Sequence, residues 1–345
     1  MSRKNGVLTF VCAVSLIVGI GPSVATAQPP GMVLVPAGEY LMGDHHDGSP
    51  DALPVHAAYI DAFYIGRYEV TNQQYADGLN WAIAQEPALV YVSGGVVYGI
   101  GNNQPYCDTT LSSSDSRIIW NGSAFGVVSD KEDHPIVQVS WYGSAAYANW
   151  RSAMERRQAC YDTSTWECNF SANGYRLPTE AEWEKAARGG LHNPYRRFPW
   201  GDTIDCSNAN FNYSCIGTTT PVGSYAPNNY GVYDMAGNVF ELCNDWYSST
   251  YYSSSPYNNP HGPTSGDWRV HRGGSWYSHD YFLRCAWRNT DAWPDYRTFH
   301  LGFRLVLDGD DLAIPTVSEW GIAAMTLLLL TAGTLVLGNR RRIAV

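Results

Sequence analysis

Charge is scarce in this chain: Asp, Glu, Lys and Arg make up only 16% of its 345 residues. Such a chain favours irregular, aromatic-packed loops over long charged helices. Positive charge is scarcest. The formal net charge is -10, which argues against a partner held by phosphate contacts, so no nucleic-acid ligand is expected. The acidic balance serves solubility and is compatible with cation binding. Several motifs are also missing. There is no HxxxH or HExxH spacing on a helix, no G-x-S-x-G elbow, no internal repeat and no low-complexity tract.

What is present is an ordinary apolar content of 45% with 13 Trp and 24 Tyr, in a length that suits one large domain or two ordinary ones. The two ends carry targeting signals. Arg3 and Lys4 precede an apolar run over residues 7–20, and Ala25-Thr26-Ala27 is a small-residue cleavage site. Residues 1–27 therefore have the form of a secretory signal peptide, and the mature chain is expected to start near Gln28. Residues 320–338 carry no charge and are followed by Arg340, Arg341 and Arg342. That run is about long enough to cross a bilayer, with the arginines cytoplasmic.

Export places the chain in an oxidising compartment. Cys12 leaves with the signal, and seven of the eight cysteines remain. Cys160/Cys168 and Cys206/Cys215 are spaced as local staples. Cys107, Cys243 and Cys285 are left over, and an odd number requires at least one thiol that is free or paired outside the chain.

Three helices are expected. Thr71 caps one that runs to about Ala84, and Ser140 caps a second, with Ala145, Ala146, Ala148, Asn149 and Trp150 on its packing side. Thr179 and Glu182 form a capping box for the third, which Gly189 and Gly190 end. Strands are expected at residues 32–43, interrupted by a Pro36-Ala37-Gly38 turn, and at 58–66 as one alternating run. Residues 86–133 suit hairpins and loops. No long helix follows Pro199. Few helices, short strands and long loops give an α+β domain over residues 31–308.

The stretch from Arg269 to Arg304 organises the rest. Its markers are Arg272-Gly273-Gly274-Ser275, then Arg284-Cys285-Ala286-Trp287-Arg288, then Leu301-Gly302-Phe303-Arg304. Upstream stand Val35-Pro36-Ala37-Gly38, Val70-Thr71-Asn72, His134-Pro135, Arg176-Leu177-Pro178-Thr179-Glu180-Ala181-Glu182-Trp183, Phe198-Pro199-Trp200-Gly201 and Asp234-Met235-Ala236-Gly237-Asn238-Val239-Phe240-Glu241. In this order, the set resembles the formylglycine-generating enzyme, or sulfatase-modifying factor, family. The resemblance implies a C-type-lectin-like α+β fold with little regular secondary structure. Ile314-Pro315-Thr316-Val317, with the apolar run and basic tail, makes residues 309–345 resemble an IPTL-type sorting signal, with Val317 in place of the usual Leu. That implies an inner-membrane anchor, then cutting by a sorting protease and release to the cell surface.

The family's site residues can be carried over one by one. A structural Ca²⁺ falls on Asp234, Gly237, Val239 and Glu241, hard oxygen donors in a bent loop. A second Ca²⁺ would begin at Asn210 and Phe211, although the loop after them is shortened here. Family enzymes oxidise a cysteine of a target sulfatase to formylglycine with O₂ and a copper(I) ion held by two thiolates. The first of those cysteines maps to Ser278, and near the second stand Tyr281 and Phe282. Cys285 matches a structural cysteine, whose partner position holds Ala187. Soft thiolates suit Cu(I) and a hydroxyl does not, so copper and the family reaction are not expected. Ser275 and Arg288 match active-site positions, and His300 replaces an asparagine. The expected function is a surface protein that binds a peptide, protein or glycan in the old substrate groove. The alternatives are other chemistry using Ser275, Arg288 and His300, or formylglycine generation with an unusual copper site. The histidines His45, His46, His271, His279 and His300 are expected in turns or at the surface. Tyr251, Tyr252, Tyr257 and Trp268 are expected to pack loops.

Overall fold

A computed structural model describes residues 28–190 and 195–309. The signal peptide and the uncharged run 320–338 lie outside these residues, and no helix among the described residues is long and apolar enough to cross a membrane.

The strands are β1 (Met32–Val35), β2 (Gly38–Met42), β3 (His56–Ile60), β4 (Phe63–Gly66), β5 (Val90–Ser93), β6 (Val96–Gly99), β7 (Pro105–Asp108), β8 (Ile118–Trp120), β9 (Phe125–Val127), β10 (Phe240–Trp246), β11 (Arg269–Arg272), β12 (Asn289–Ala292), β13 (Leu301–Gly302) and β14 (Val306–Asp308). Among the described residues the α-helices are α1 (Asn72–Ile83), α2 (Trp141–Met154) and α3 (Glu180–Arg188). Among the described residues the strands form five small sheets, and the one that frames the site is β12-β11-β10-β13. Within it β10 runs antiparallel to β11 and parallel to β13, pairing Phe240 with Leu301.

All three helices start where their caps predict. The Thr71 hydroxyl accepts the Gln74 amide, and Gln74 returns a carbonyl to the Thr71 amide. Ser140 accepts the Gly143 amide at 2.9 Å. Thr179 and Glu182 exchange the same pair of bonds, and Gly189 ends α3 at φ +62°. A reciprocal cap satisfies two amides that the helix itself cannot. α1 and α2 pack closely because Gly78 sits against the Tyr147 ring, where a Cβ would lie 2.8 Å from it. Ala145, Ala146, Ala148 and Trp150 are buried as expected, while half-buried Asn149 bonds both the carbonyl and the amide of Tyr161.

Two expectations are corrected. Residues 58–66 are not one strand: the chain breaks at Asp61 and Ala62, because β3 pairs with β2 whereas β4 lies between β1 and β14 in a different sheet. Asn259 stabilises the break by accepting the Asp61 amide at 2.9 Å. Cys206 and Cys215 are bonded, but Cys160 and Cys168 are not. The cause is register. Cys168 stands opposite Tyr161, and the Asn169 amide donates to the Cys160 carbonyl, so the two cysteines are one position out of step. Cys107, Cys160, Cys168, Cys243 and Cys285 are all free thiols. Burial raises each above the ordinary thiol range, Cys168 and Cys285 to about 12.

α3 is unusual in that all nine of its residues are buried, although five of them are charged. Its carboxylates are neutralised by arginines, two of them from distant parts of the chain. Glu180 holds Arg288 at 2.7 Å and Arg272 at 2.9 Å, while Glu184 holds Arg272 at 2.7 Å and Arg188 at 2.5 Å. Trp183 donates to Glu241 at 2.7 Å, which ties the helix to β10.

Candidate functional site

Gly273 and Gly274 leave β11 with φ of +89° and +69°, a left-handed turn that other residues rarely adopt. The close packing also needs them, because a Cβ on Gly274 would lie 2.5 Å from Leu283. The turn delivers Ser275 and Ser278 to each other. Their hydroxyls are 2.9 Å apart, and the Ser275 amide donates to the Ser278 hydroxyl at 3.0 Å. Both side chains are buried. The Ser278 carbonyl accepts the Asn212 amide at 2.8 Å, and the Trp276 carbonyl accepts that of Tyr213 at 2.7 Å, so the loop over residues 212–213 is strapped to the turn.

Beside the serines, Trp276, Tyr277 and Phe299 form one wall of a cavity of about 320 Å³, which Asp115, Arg117 and Thr219 complete. Tyr213 contacts both Trp276 and Tyr277, and Tyr213 and Tyr277 are 60% and 57% exposed, so flat aromatic surface faces solvent at the rim. Such rings offer contact area with few rotamers to freeze.

Phe299 leads into His300, which packs on Phe240. Phe240 also packs on His271, whose Nε2 is 2.7 Å from the Asn289 amide group and 3.2 Å from Asp291. His271 is buried in β11 rather than in a surface turn, which corrects its expected placement. Its hydrogen bond is the main influence holding the Asp291 carboxyl below the usual range. Burial, then the nearby His271, lowers His300 to about 4. His45 and His46 lie in a surface loop, and exposed His279 precedes the 3₁₀ turn at Asp280–Leu283. Among the described residues no group of three His, Cys, Asp or Glu side chains is placed to hold a metal.

The three candidate catalytic residues do not meet. Arg288 is bound along both edges of its guanidinium, to Glu180 and to the carbonyls of Asp51 and Ser248. No hydrogen bond among the described residues joins Ser275 or Ser278 to His300 or Arg288. Of the expected loop-packing tyrosines, Tyr252 is buried and Tyr257 is 46% exposed.

The Asp234–Glu241 turn places several oxygen atoms together. Asp234 is buried at φ +57° and accepts the Gly223 amide at 2.6 Å. Among the described residues, no loop or turn amide donates to the carbonyls of Gly237 or Val239. Glu241 is already paired: Arg304 takes both of its oxygens at 2.6 Å. A nearer acid is Glu69, which the sequence pattern did not single out although it stands directly before Val70-Thr71-Asn72. Burial, then repulsion from Asp234, raises the Glu69 carboxyl well above its usual range, and its Oε2 is buried without a partner. Asn210 likewise leaves a buried Oδ1 without a partner, while its carbonyl accepts the Asn238 amide and its side-chain amide donates to Thr218. Orphaned buried oxygens at these positions suit a hard cation.

Residues 20–309 match the family described as "Sulfatase-modifying factor enzyme 1-like domain", and residues 313–342 match the IPTL-CTERM motif. The formylglycine-generating enzyme of Streptomyces coelicolor is 34% identical over 319 residues, covering 84% of this chain and 93% of that protein. The serine/threonine-protein kinase pkn1 of Chlamydia caviae is 36% identical over 275 residues, which are 79% of this chain but only 37% of that protein. Among solved structures, Treponema denticola variable protein 1 superposes with a TM-score of 0.59 at 26% identity, covering 80% of this chain and 94% of that one. The ordered motifs, the α+β architecture with three α-helices among the described residues, and these likenesses agree: the chain belongs to the sulfatase-modifying factor family, has its formylglycine-generating-enzyme fold, and carries a C-terminal sorting motif.

Proposed function

We propose that this chain is an exported, non-catalytic member of its family that binds a peptide, protein or glycan at the cell surface through the Trp276–Tyr277–Phe299 cavity. The observation that carries this is the Ser275–Ser278 hydroxyl pair, 2.9 Å apart where the resemblance places the first copper thiolate. Hydroxyls do not offer the soft donors that Cu(I) needs, and their mutual bond leaves neither poised next to a base. The exposed Tyr213 and Tyr277 rings at the rim support a role in binding. A calcium ion held by Asp234 and the Gly237 and Val239 carbonyls, with Asn210 behind them, would stabilise the turn that supports the cavity. The sorting motif supports export through a temporary inner-membrane anchor and cutting by a sorting protease.

The test is incubation of the purified protein with Cu(I), O₂ and a peptide containing Cys-x-Pro-x-Arg. No aldehyde mass shift is expected, and turnover would overturn the proposal. Chelation is expected to remove one equivalent of Ca²⁺ and lower the melting midpoint. An unchanged midpoint would refute the structural role of calcium.

A further inference from the structure

A second cavity, of about 440 Å³, lies between β2 and the C-terminal end of α3. Its size falls within the ~300–1,000 Å³ typical of small-molecule sites. Tyr40, Leu41, Tyr195 and Tyr230 contribute to its mainly apolar wall. None of these residues belongs to the cavity beside Trp276, so the inference is independent of the function proposed above.

The charges on this wall do not balance. Lys185 is only 5% exposed, and its ammonium donates to the carbonyls of Gly38 at 2.9 Å and Ile60 at 3.1 Å. No carboxylate among the described residues lies within ion-pair distance of it. An ammonium has three N–H donors, so one remains. Burial, against weaker opposition from Asp61 and Glu182, brings the amine down to about 8, as expected of a cation without a close counter-ion. Arg196 also lines the cavity and, among the described residues, has no hydrogen bond or ion pair from its guanidinium. The third cation, Arg188, is bound to Glu184 and stacks on Tyr195. The acid on the wall, Glu39, is exposed and accepts the Tyr257 hydroxyl at 2.7 Å. An apolar chamber with a buried, unpaired amine and an unpaired guanidinium is complementary to a molecule that is apolar along its length and negative at one end.

We propose that this cavity is a binding site for an amphiphilic anion of the fatty-acid class, its chain against Leu41 and Tyr230, its carboxylate paired with Lys185 while Arg196 adds a second positive charge. Dodecanoate is a suitable probe, with dodecan-1-ol as the neutral match, both titrated calorimetrically into the purified protein below their aggregation limits. Saturable one-to-one binding of dodecanoate is expected, with the alcohol about tenfold weaker or more, the loss of one charge-assisted contact. Arg196→Ala and Lys185→Met should each weaken the acid by a similar factor and leave the alcohol unchanged, whereas Leu41→Trp, which fills the wall, should weaken both. Arg196→Ala decides the matter if Lys185→Met fails to fold, because Arg196 is only half-buried and its guanidinium has no hydrogen bond or ion pair to lose among the described residues. Non-saturable uptake, equal affinity for acid and alcohol, or an acid affinity unchanged in Arg196→Ala would overturn the proposal.

Discussion

Replacing Glu180 with Gln should cost more than any surface change of the same size. Glu180 is 1% exposed and bonds two guanidiniums, Arg288 through both carboxylate oxygens and Arg272 through one, each at 2.7–2.9 Å. Among the described residues Arg288 has no second carboxylate, and both arginines are at most 1% exposed. The amide keeps the shape but removes the charge, leaving Arg288 buried and uncompensated. Breaking a buried pair in this way costs ~3–5 kcal/mol. For a domain of this size each kcal/mol moves the midpoint by about 2–4 °C, so the expected fall is on the order of 10 °C. The assay is urea unfolding followed by fluorescence, checked by calorimetry. Two controls give it meaning. Arg151→Gln removes a partner of the Arg151–Glu155 pair, whose side chains are 36% and 29% exposed, and should cost under ~1 kcal/mol. Glu180→Gln combined with Arg288→Met should recover part of the loss, since no lone charge is then left inside. If Glu180→Gln cost no more than Arg151→Gln, the α3 ion pairs would be spectators and the account of that helix would fail.

Two further outcomes follow from single features. Opening the Cys206–Cys215 bridge, which closes nine residues of chain, with Cys206→Ser plus Cys215→Ser should cost ~2–3 kcal/mol in denaturant; no change would mean that the loop is already ordered when reduced. His300 has a folded value of about 4 against an ordinary 6.5, so between those limits the unfolded chain takes up the proton and the folded chain does not. Stability should therefore fall as the pH drops through that window, by up to about 3 kcal/mol. His134 is lowered similarly, by burial and then Lys131, so the relevant measurement is the difference in acid slope between the parent and His300→Phe; identical slopes would refute the assignment.

The helices were legible because their signals are local. Thr71 with Gln74 and Thr179 with Glu182 lie within one turn, and no distant residue can override a satisfied cap cheaply. The ion pairs of α3 were not legible. Glu180, Glu184, Lys185 and Arg188 have the composition of a solvated face, yet the arginines that hold the two glutamates arrive about ninety residues later from β11 and the segment after it, and the carbonyls that hold Lys185 come from more than a hundred residues earlier. The cysteines failed for a related reason. Spacing along the chain gave Cys160/Cys168 and Cys206/Cys215 equal promise, and only strand register separates them. Within the site, the motif Arg272-Gly273-Gly274-Ser275 located the turn and Ser278. The mutual bond of the two serines, the withdrawal of Arg288 into α3 and the unpartnered oxygen of Glu69 are products of tertiary contact and leave no trace in any short window.

A helix with no face to the solvent alters how this chain can change over time. Because α3 reaches β2, β10, β11 and Arg288 through polar and charged groups of fixed length, a replacement there must be matched by a second one far away in the sequence. The aromatic rim of Tyr213 and Tyr277 has no such creditors, since its rings end in water. Variation is thereby steered outward: the same scaffold can present new side chains to new ligands while its interior stays locked, so specificity can drift without the fold having to follow.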